Sequence, residues 1–141
     1  MKRLLQLILI SLVFSACKKD LAPQPDLEGT KWEFVGYMQR NKLTKITDSE
    51  RVLLFFEADG KIIGRSMANS FIGKWETTRS RLAIKIGITT LANEPQSGKE
   101  YLERIEKIDS YRIEKSRLYL NYNEGKRSIV FKESEQKTII L

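Results

Sequence analysis

The chain has no histidine, one cysteine and three prolines in 141 residues. Each scarcity excludes something. Without imidazole there is no Ser-His or Cys-His catalytic pair, and no zinc site of the histidine-containing kinds. A single cysteine closes no internal disulfide and builds no thiolate cluster. No apolar run reaches the ~20 residues of a membrane-spanning helix. What remains is 41% hydrophobic and 30% charged residues, the balance of a folding domain and not of a disordered chain. The length suits one such domain. Basic residues outnumber acidic ones 25 to 18, giving a formal charge of +7 that invites an acidic partner or surface.

The N-terminus has the order of a secretory signal peptide. Lys2 and Arg3 come first, then an apolar run from Leu4 to Phe14 broken by Gln6 and Ser11, then the small pair Ser15-Ala16. Residues 1–16 are assigned to this signal. Cys17, the lone cysteine, follows at once. Val13-Phe14-Ser15-Ala16-Cys17 resembles a bacterial lipobox, with Phe14 where Leu is usual. The resemblance implies cleavage before Cys17 and lipidation (palmitate and related acyl chains) of its thiol and amine. Two or three chains anchor a protein stably. The expected location is the cell envelope, lipid-anchored in the outer membrane on the periplasmic side or at the cell surface. Residues 17–26 read as the lipidated N-terminus and a tether, holding Pro23 and Pro25 without periodic apolar pattern. Lys18-Lys19-Asp20 resembles the charged signal that sends some Bacteroidota lipoproteins to the surface, or is simply a solvated linker. Losing Lys2 and Arg3 leaves 125 residues with 23 basic and 18 acidic side chains, a charge of +5. Part of the basicity is therefore an address.

Beyond the tether the dominant period is two. Leu82, Ile84, Ile86 and Ile88 alternate with Ala83, Lys85 and Gly87, the pattern of a half-buried strand. Leu118, Leu120 and Tyr122 repeat it, as do Trp32 with Phe34, and Phe71 with Gly73 and Trp75. Val52 to Phe56 is apolar on both faces and reads as a central or covered strand. Asp59-Gly60 and Asn123-Glu124-Gly125 are hairpin signals; Arg79-Ser80 and Lys115-Ser116 are weaker ones. The count is about eight strands, which predicts a sandwich or a barrel. One segment breaks the period. Ser97 followed by Glu100 has the form of a capping box, and Tyr101, Leu102, Ile105 and Ile108 form one helical stripe. An amphipathic helix is predicted over about Lys99 to Asp109, with a Glu103–Lys107 pair on its outer face and its stripe packed on the sheet or closing a barrel end.

Several short motifs, in order, resemble META domains, the family of the heat-inducible lipoprotein HslJ. Leu27-Glu28-Gly29-Thr30-Lys31-Trp32 is similar to the family's opening "L-x-G-T-x-W". Gly64, then Asn69, Phe71 and Gly73, resembles "G-x-x-G-C-N-x-F-x-G", and Ile88-Thr89-Thr90-Leu91-Ala92 resembles "I-x-T-x-M-A-C". The helix, Tyr111–Ile113 and Leu118–Leu120 follow in the family's order. The resemblance spans nearly all of residues 27–132. It implies a compact antiparallel β-barrel of lipocalin-like topology with one helix, in an envelope lipoprotein without established enzymatic activity. It also marks Gly29, Trp32, Gly64, Asn69, Phe71, Gly73 and Thr90 as fold-defining, Asn69 through turn geometry and Phe71 through packing. Two family cysteines are replaced together, by Ala68 and Asn93. The resemblance places these positions near each other, and without a staple the aromatic core of Trp32, Phe34, Phe55, Phe71 and Trp75 carries more of the stability. The domain is taken as residues 27–135, with a C-terminal tail at 136–141.

No constellation of residues points to chemistry. The carboxylate pairs Glu57/Asp59, Glu103/Glu106 and Glu133/Glu135 fall in a turn, on the helix exterior and near the tail, and read as solvated surface. Ser66 lies in no nucleophile elbow, and Gly64-Arg65-Ser66 is not a phosphate loop. Asp48-Ser49-Glu50 lacks the spacing of a calcium loop. No catalytic residue, cofactor or metal site is expected. Arg40, Lys42, Lys45, Arg79, Arg81, Lys115, Arg117, Lys126 and Arg127 cluster near predicted turns. If turns gather at one barrel end they make a cationic rim, suited to an anionic lipid or glycan, with no role for nucleic acid in an exported protein. The expected function is non-enzymatic: an envelope lipoprotein with a structural, stress-response or interaction role, an envelope protein being a further possible partner. The alternatives are a binder of a small apolar ligand inside the barrel, separated by interior volume, and an inhibitor of an exported hydrolase.

Overall fold

A computed structural model describes residues 26–46, 52–79 and 81–135. Cys17, the signal and tether motifs before Asp26, Asp48-Ser49-Glu50 and the tail after Glu135 lie outside the described residues. Among the described residues nine strands and one α-helix are formed: β1 Lys31–Gln39, β2 Lys42–Lys45, β3 Leu53–Phe56, β4 Lys61–Arg65, β5 Ser70–Thr78, β6 Arg81–Thr89, α1 Gln96–Ile105, β7 Ile108–Glu114, β8 Arg117–Tyr122 and β9 Arg127–Glu133.

Every pairing is antiparallel, and β9 returns to β1. Eight strands therefore close into a barrel, and β2 is an extra strand lying on β1 beyond the stretch that pairs with β3. Closure leaves few free edges, which suits a domain whose sequence has only one helix to cover a sheet. The β1–β2 hairpin went unread because Leu43 alone in β2 is even half-buried, so no apolar alternation marks it.

Period two sets the core. Trp32 and Leu54 face each other across β1 and β3, and both are buried. Gly64 and Phe71 do the same across β4 and β5, as do Leu118 and Phe131 across β8 and β9. The predicted aromatic core is corrected at Phe55. Leu54 and Phe56 take the inner face of β3, so Phe55 points outward, where Lys31 sits 4.8 Å above its ring. Trp32, Phe34, Phe71 and Trp75 are in the core as expected.

Ile88 is a second correction. Leu82 and Ile84 are buried, Ile86 is half-buried, but Ile88 is 73% exposed. The β5–β6 register runs Gly73↔Ile86 and then Ile72↔Ile88, so Gly87 is an extra residue. A bulge of one residue turns all that follows to the other face. Ile88 thus joins Ile72 on the outside.

The helix begins earlier than predicted. It starts at Gln96 behind Pro95, whose carbonyl accepts from the amides of Gly98 (2.9 Å) and Lys99 (3.0 Å). No side chain caps it, so Ser97 and Glu100 do not form a capping box. Glu100 instead pairs with Arg104 at 3.1 Å, and the expected Glu103–Lys107 pair is not formed. Tyr101 and Ile105 are fully buried and close one barrel end, while Ile108 already opens β7. The ladder between β6 and β7 consists of the pair Arg81↔Ser110. Along the open seam the Ile86 amide donates to a Glu106 carboxylate oxygen at 3.1 Å.

Burial of Tyr101 has a cost. Its hydroxyl has no hydrogen-bond partner among the described residues. Desolvation holds its phenol well above the usual range, with the neighbouring Tyr37 adding to the effect. Tyr37 shifts the same way, burial outweighing the opposing Arg104 guanidinium. Phenols raised in the folded state stabilise fully below their unfolded pKa of ~10 and lose that contribution as pH rises through the folded value. Tyr101→Phe is therefore expected to stabilise by about 1 kcal/mol at pH 7 and to flatten the alkaline loss. Urea midpoints at pH 7 and above 10 check both; a destabilised variant would mean the hydroxyl has a partner.

Candidate functional site

The densest polar cluster lies between two connections at the helix end. The β4–β5 connection carries Ser66 to Asn69, and the β6–α1 connection carries Thr90 to Pro95. Ser66 is fully buried and Asn69 is 5% exposed. The Asn69 amide nitrogen donates to the Ala92 carbonyl (3.0 Å) and to Glu94 Oε2 (2.6 Å). Its oxygen accepts from the Thr90 hydroxyl (2.8 Å) and the Ala92 amide (2.8 Å). Both halves of the side chain are saturated, which also fixes which end is nitrogen.

Glu94 completes the arrangement. Its carboxylate accepts from the Ser66 hydroxyl (2.6 Å), the Ala68 amide (3.1 Å) and Asn69. The backbone N–H of Asn69 in turn donates to Ser66 Oγ at 3.1 Å. Around this half-buried carboxylate, hydrogen bonds from three donors stand in for the water that folding removes. Chemically the cluster is a fastener. Ser66 spends its one proton within the cluster and has no access to solvent, so it is not placed to attack a substrate.

The fold-motif residues each have a visible task. Gly29 sits at φ +77° and donates to the Phe56 carbonyl at 2.7 Å, turning the chain into β1. Trp32 is buried with its indole N–H on the Thr30 hydroxyl at 2.7 Å. The Phe71 ring lies directly across Gly64, and the Lys85 carbonyl approaches Gly73 too closely for a side chain. Thr90 bridges the connections: its hydroxyl serves Asn69 and accepts from the Ser70 amide at 3.1 Å. Asn69 itself has no positive φ, so its role is hydrogen bonding and not the turn conformation the sequence suggested.

Two partners in the cluster escaped sequence reading, Glu94 and Gly98. Gly98 is in the first turns of α1, and a Cβ there would overlap the Glu94 carboxylate. The available signal was Glu94 directly before Pro95 with Gly98 one helical turn on. In an ordinary helix Gly→Ala gains about 1 kcal/mol. Here Gly98→Ala is expected to lose roughly 1–3 kcal/mol by expelling Glu94. Chemical denaturation of the single variant and of Gly98→Ala with Glu94→Ala checks this; equal destabilisation in both would rule out the clash as the cause.

The basic residues divide between two ends. Arg79, Arg81, Lys115 and Arg117 lie in or beside turns at the end where the chain enters β1. Arg40, Lys42, Lys126 and Arg127 lie at the helix end, and Lys45 is in β2. One carboxylate pair, Glu57 and Asp59, lines an open depression together with Asp26 and Glu28. Glu57 holds Lys61 at 2.9 Å, Glu106 serves the Ile86 amide, and Glu133 and Glu135 are exposed. No group of His, Cys, Asp and Glu able to hold a metal occurs among the described residues.

A META domain model matches residues 25–135, most of the chain and the whole barrel. The chain belongs to the META domain family. Among solved structures, a crystal structure of a DUF4847 family protein from Bacteroides vulgatus superposes with a TM-score of 0.63 at 14% identity. It covers 79% of this chain and 96% of that one. An NMR structure of a protein from Burkholderia xenovorans gives 0.62 at 18% identity, covering 78% and 85%. These similarities concern the fold. No curated protein matches the chain. The structure brings the segments that carry Ala68 and Asn93 together through the Ala68 amide on Glu94. The Asn69–Glu94 fastener thus joins the same two connections.

Proposed function

We propose that this META domain works without catalysis, as the folded part of an envelope lipoprotein with a structural, stress-response or interaction role. The supporting observation is the fate of its polar and apolar inventory. Among the described residues, the constellation of Ser66, Asn69 and Glu94 is saturated by its own hydrogen bonds. The inner face carries Trp32, Phe34, Phe56, Phe71, Trp75 and Phe131, which occupy the space an apolar ligand would need. Both support a scaffold that presents its outer surface.

Anchoring through Cys17 is the testable half of the reading. In fractionated cells the full chain is expected in detergent-soluble membranes, carrying labelled palmitate. Cys17→Ala should lose the label and leave that fraction. A variant that remains with the membranes overturns the anchor. Protease added to intact cells, with and without outer-membrane disruption, then tells surface from periplasmic orientation.

A further inference from the structure

At the barrel end opposite the chain entry, the β1–β2 turn, the β8–β9 turn and the outer face of α1 meet. Two adjoining depressions, about 370 Å³ and 470 Å³, share Asn123 and Arg127. The smaller is walled by Gln39, Arg40 and Lys126 besides, and has no carboxylate in its lining. The larger adds Arg104, Glu100 and Glu103 from α1 and Lys107 from the turn after it.

The charges there are unevenly matched. Arg104 is engaged by Glu100 at 3.1 Å and stacks 4.2 Å over Tyr37. Lys126 pairs with Glu124, but both are well exposed and weakly held. Arg40, Lys107 and Arg127 have no carboxylate partner among the described residues, and only Glu103 in the lining opposes them unpaired. The side chains of Gln39 and Asn123 are likewise uncommitted. Their places are fixed: Arg127 sits in register between Gln39 of β1 and Tyr122 of β8. Arg40 and Asn123 lie in tight turns at φ +49° and +54°.

We propose that this end binds an acidic saccharide. Arg40 and Arg127 hold its carboxylate or phosphate, Lys107 and Lys126 add charge at the margins, and the Gln39 and Asn123 amides take its hydroxyls. Guanidinium groups fit planar or tetrahedral oxyanions through paired donors, and amides donate to and accept from vicinal hydroxyls. The placement favours a sugar over the bilayer that would hold the tether. The chain enters beside Lys31, and the site lies at the far end of β1, ~30 Å away at ~3.3 Å per residue. Tyr122 in the lining is buried, so no flat aromatic face is offered to a nucleobase. The inference deepens the interaction reading above.

The test is calorimetric titration of the full chain in detergent with four probes: a galacturonate oligomer, a phosphorylated hexose, a neutral galactose oligomer and inorganic phosphate. One or both anionic sugars should bind, more weakly as salt rises. Preference between the two identifies the carboxylate or the phosphate source. Arg40→Gln with Arg127→Gln should weaken that binding at least about tenfold. Arg79→Gln with Arg81→Gln, the same charge change at the entry end, should leave it unaltered. Binding of neither anionic sugar overturns the proposal. So does equal binding of the neutral oligomer, equal binding of inorganic phosphate, or an equal loss in the two double variants. The Cys17→Ala outcome bears on anchoring alone, so the two failures are distinguishable.

Discussion

Asn69→Ala is expected to destabilise the domain by about 4 kcal/mol, a large fraction of the ~5–15 kcal/mol that holds a domain of this size together. The substitution removes four hydrogen bonds at once, to the Ala92 carbonyl and amide, the Thr90 hydroxyl and Glu94. Neutral bonds are worth about 1 kcal/mol net each, and one to a carboxylate about 1.5–3. The groups left behind belong to Thr90 and Ala92, which are exposed, and Glu94, which is half-buried, so water recovers part of the loss and the expected figure stays below the sum of the four bonds. Asn69→Asp separates hydrogen bonding from size. It keeps the shape and the two accepted bonds, but places a carboxylate where a donor meets Glu94 Oε2 at 2.6 Å. It should be at least as damaging as Ala at neutral pH. Urea unfolding measures both, and a loss under about 1 kcal/mol for Ala would show that the connections are held otherwise.

Gly64→Ala should cost about 3 kcal/mol, where a methyl in a strand would ordinarily help. The two residues face each other across β4 and β5, and Phe71 is buried with its ring over the Gly64 backbone. The Cβ would overlap the far edge of that ring. The ring can move only into a packed core, so it must leave its rotamer or displace its neighbours. Phe71→Leu alone leaves a cavity and costs about 1–3 kcal/mol. In the double variant the shorter side chain should accommodate the methyl. The combined loss should then fall short of the sum by more than 1 kcal/mol. Additive losses, within about 0.5 kcal/mol, would place the strain elsewhere.

The two substitutions differ in how far the sequence anticipated them. Gly64, Asn69 and Phe71 stood out in the motif, but Asn69 suggested a turn residue because Asn is common in turns. Its actual partners lie 21 to 25 positions later, and no local pattern announces hydrogen bonds of that separation. Gly98 stands between Ser97 and Glu100 with no local sign of its role. Its smallness serves Glu94 four residues earlier, whose carboxylate is held toward the β4–β5 connection by Ser66, Ala68 and Asn69. The Ile88 error has a different origin. Alternation was read correctly to Ile86, but one inserted glycine reverses the face, and the bulge exists only in the pairing of β6 with β5.

By itself the sequence determined the class of this protein. Alternating apolar residues with turn signals dictate paired strands, a single 3.6-residue stripe dictates one helix, and the order of motifs dictates the META domain. These are local or nearly local properties, governed by backbone geometry and by which face each side chain needs to bury. Tertiary structure alone decided closure, with β9 returning to β1, because a strand's two edges carry the same backbone groups and nothing in its side chains names its neighbours. It also decided which basic turns share an end, since that follows from strand direction and register. From closure come the saturated Asn69–Glu94 fastener and the cationic depression around Arg127, each assembled from segments that meet only in the finished barrel.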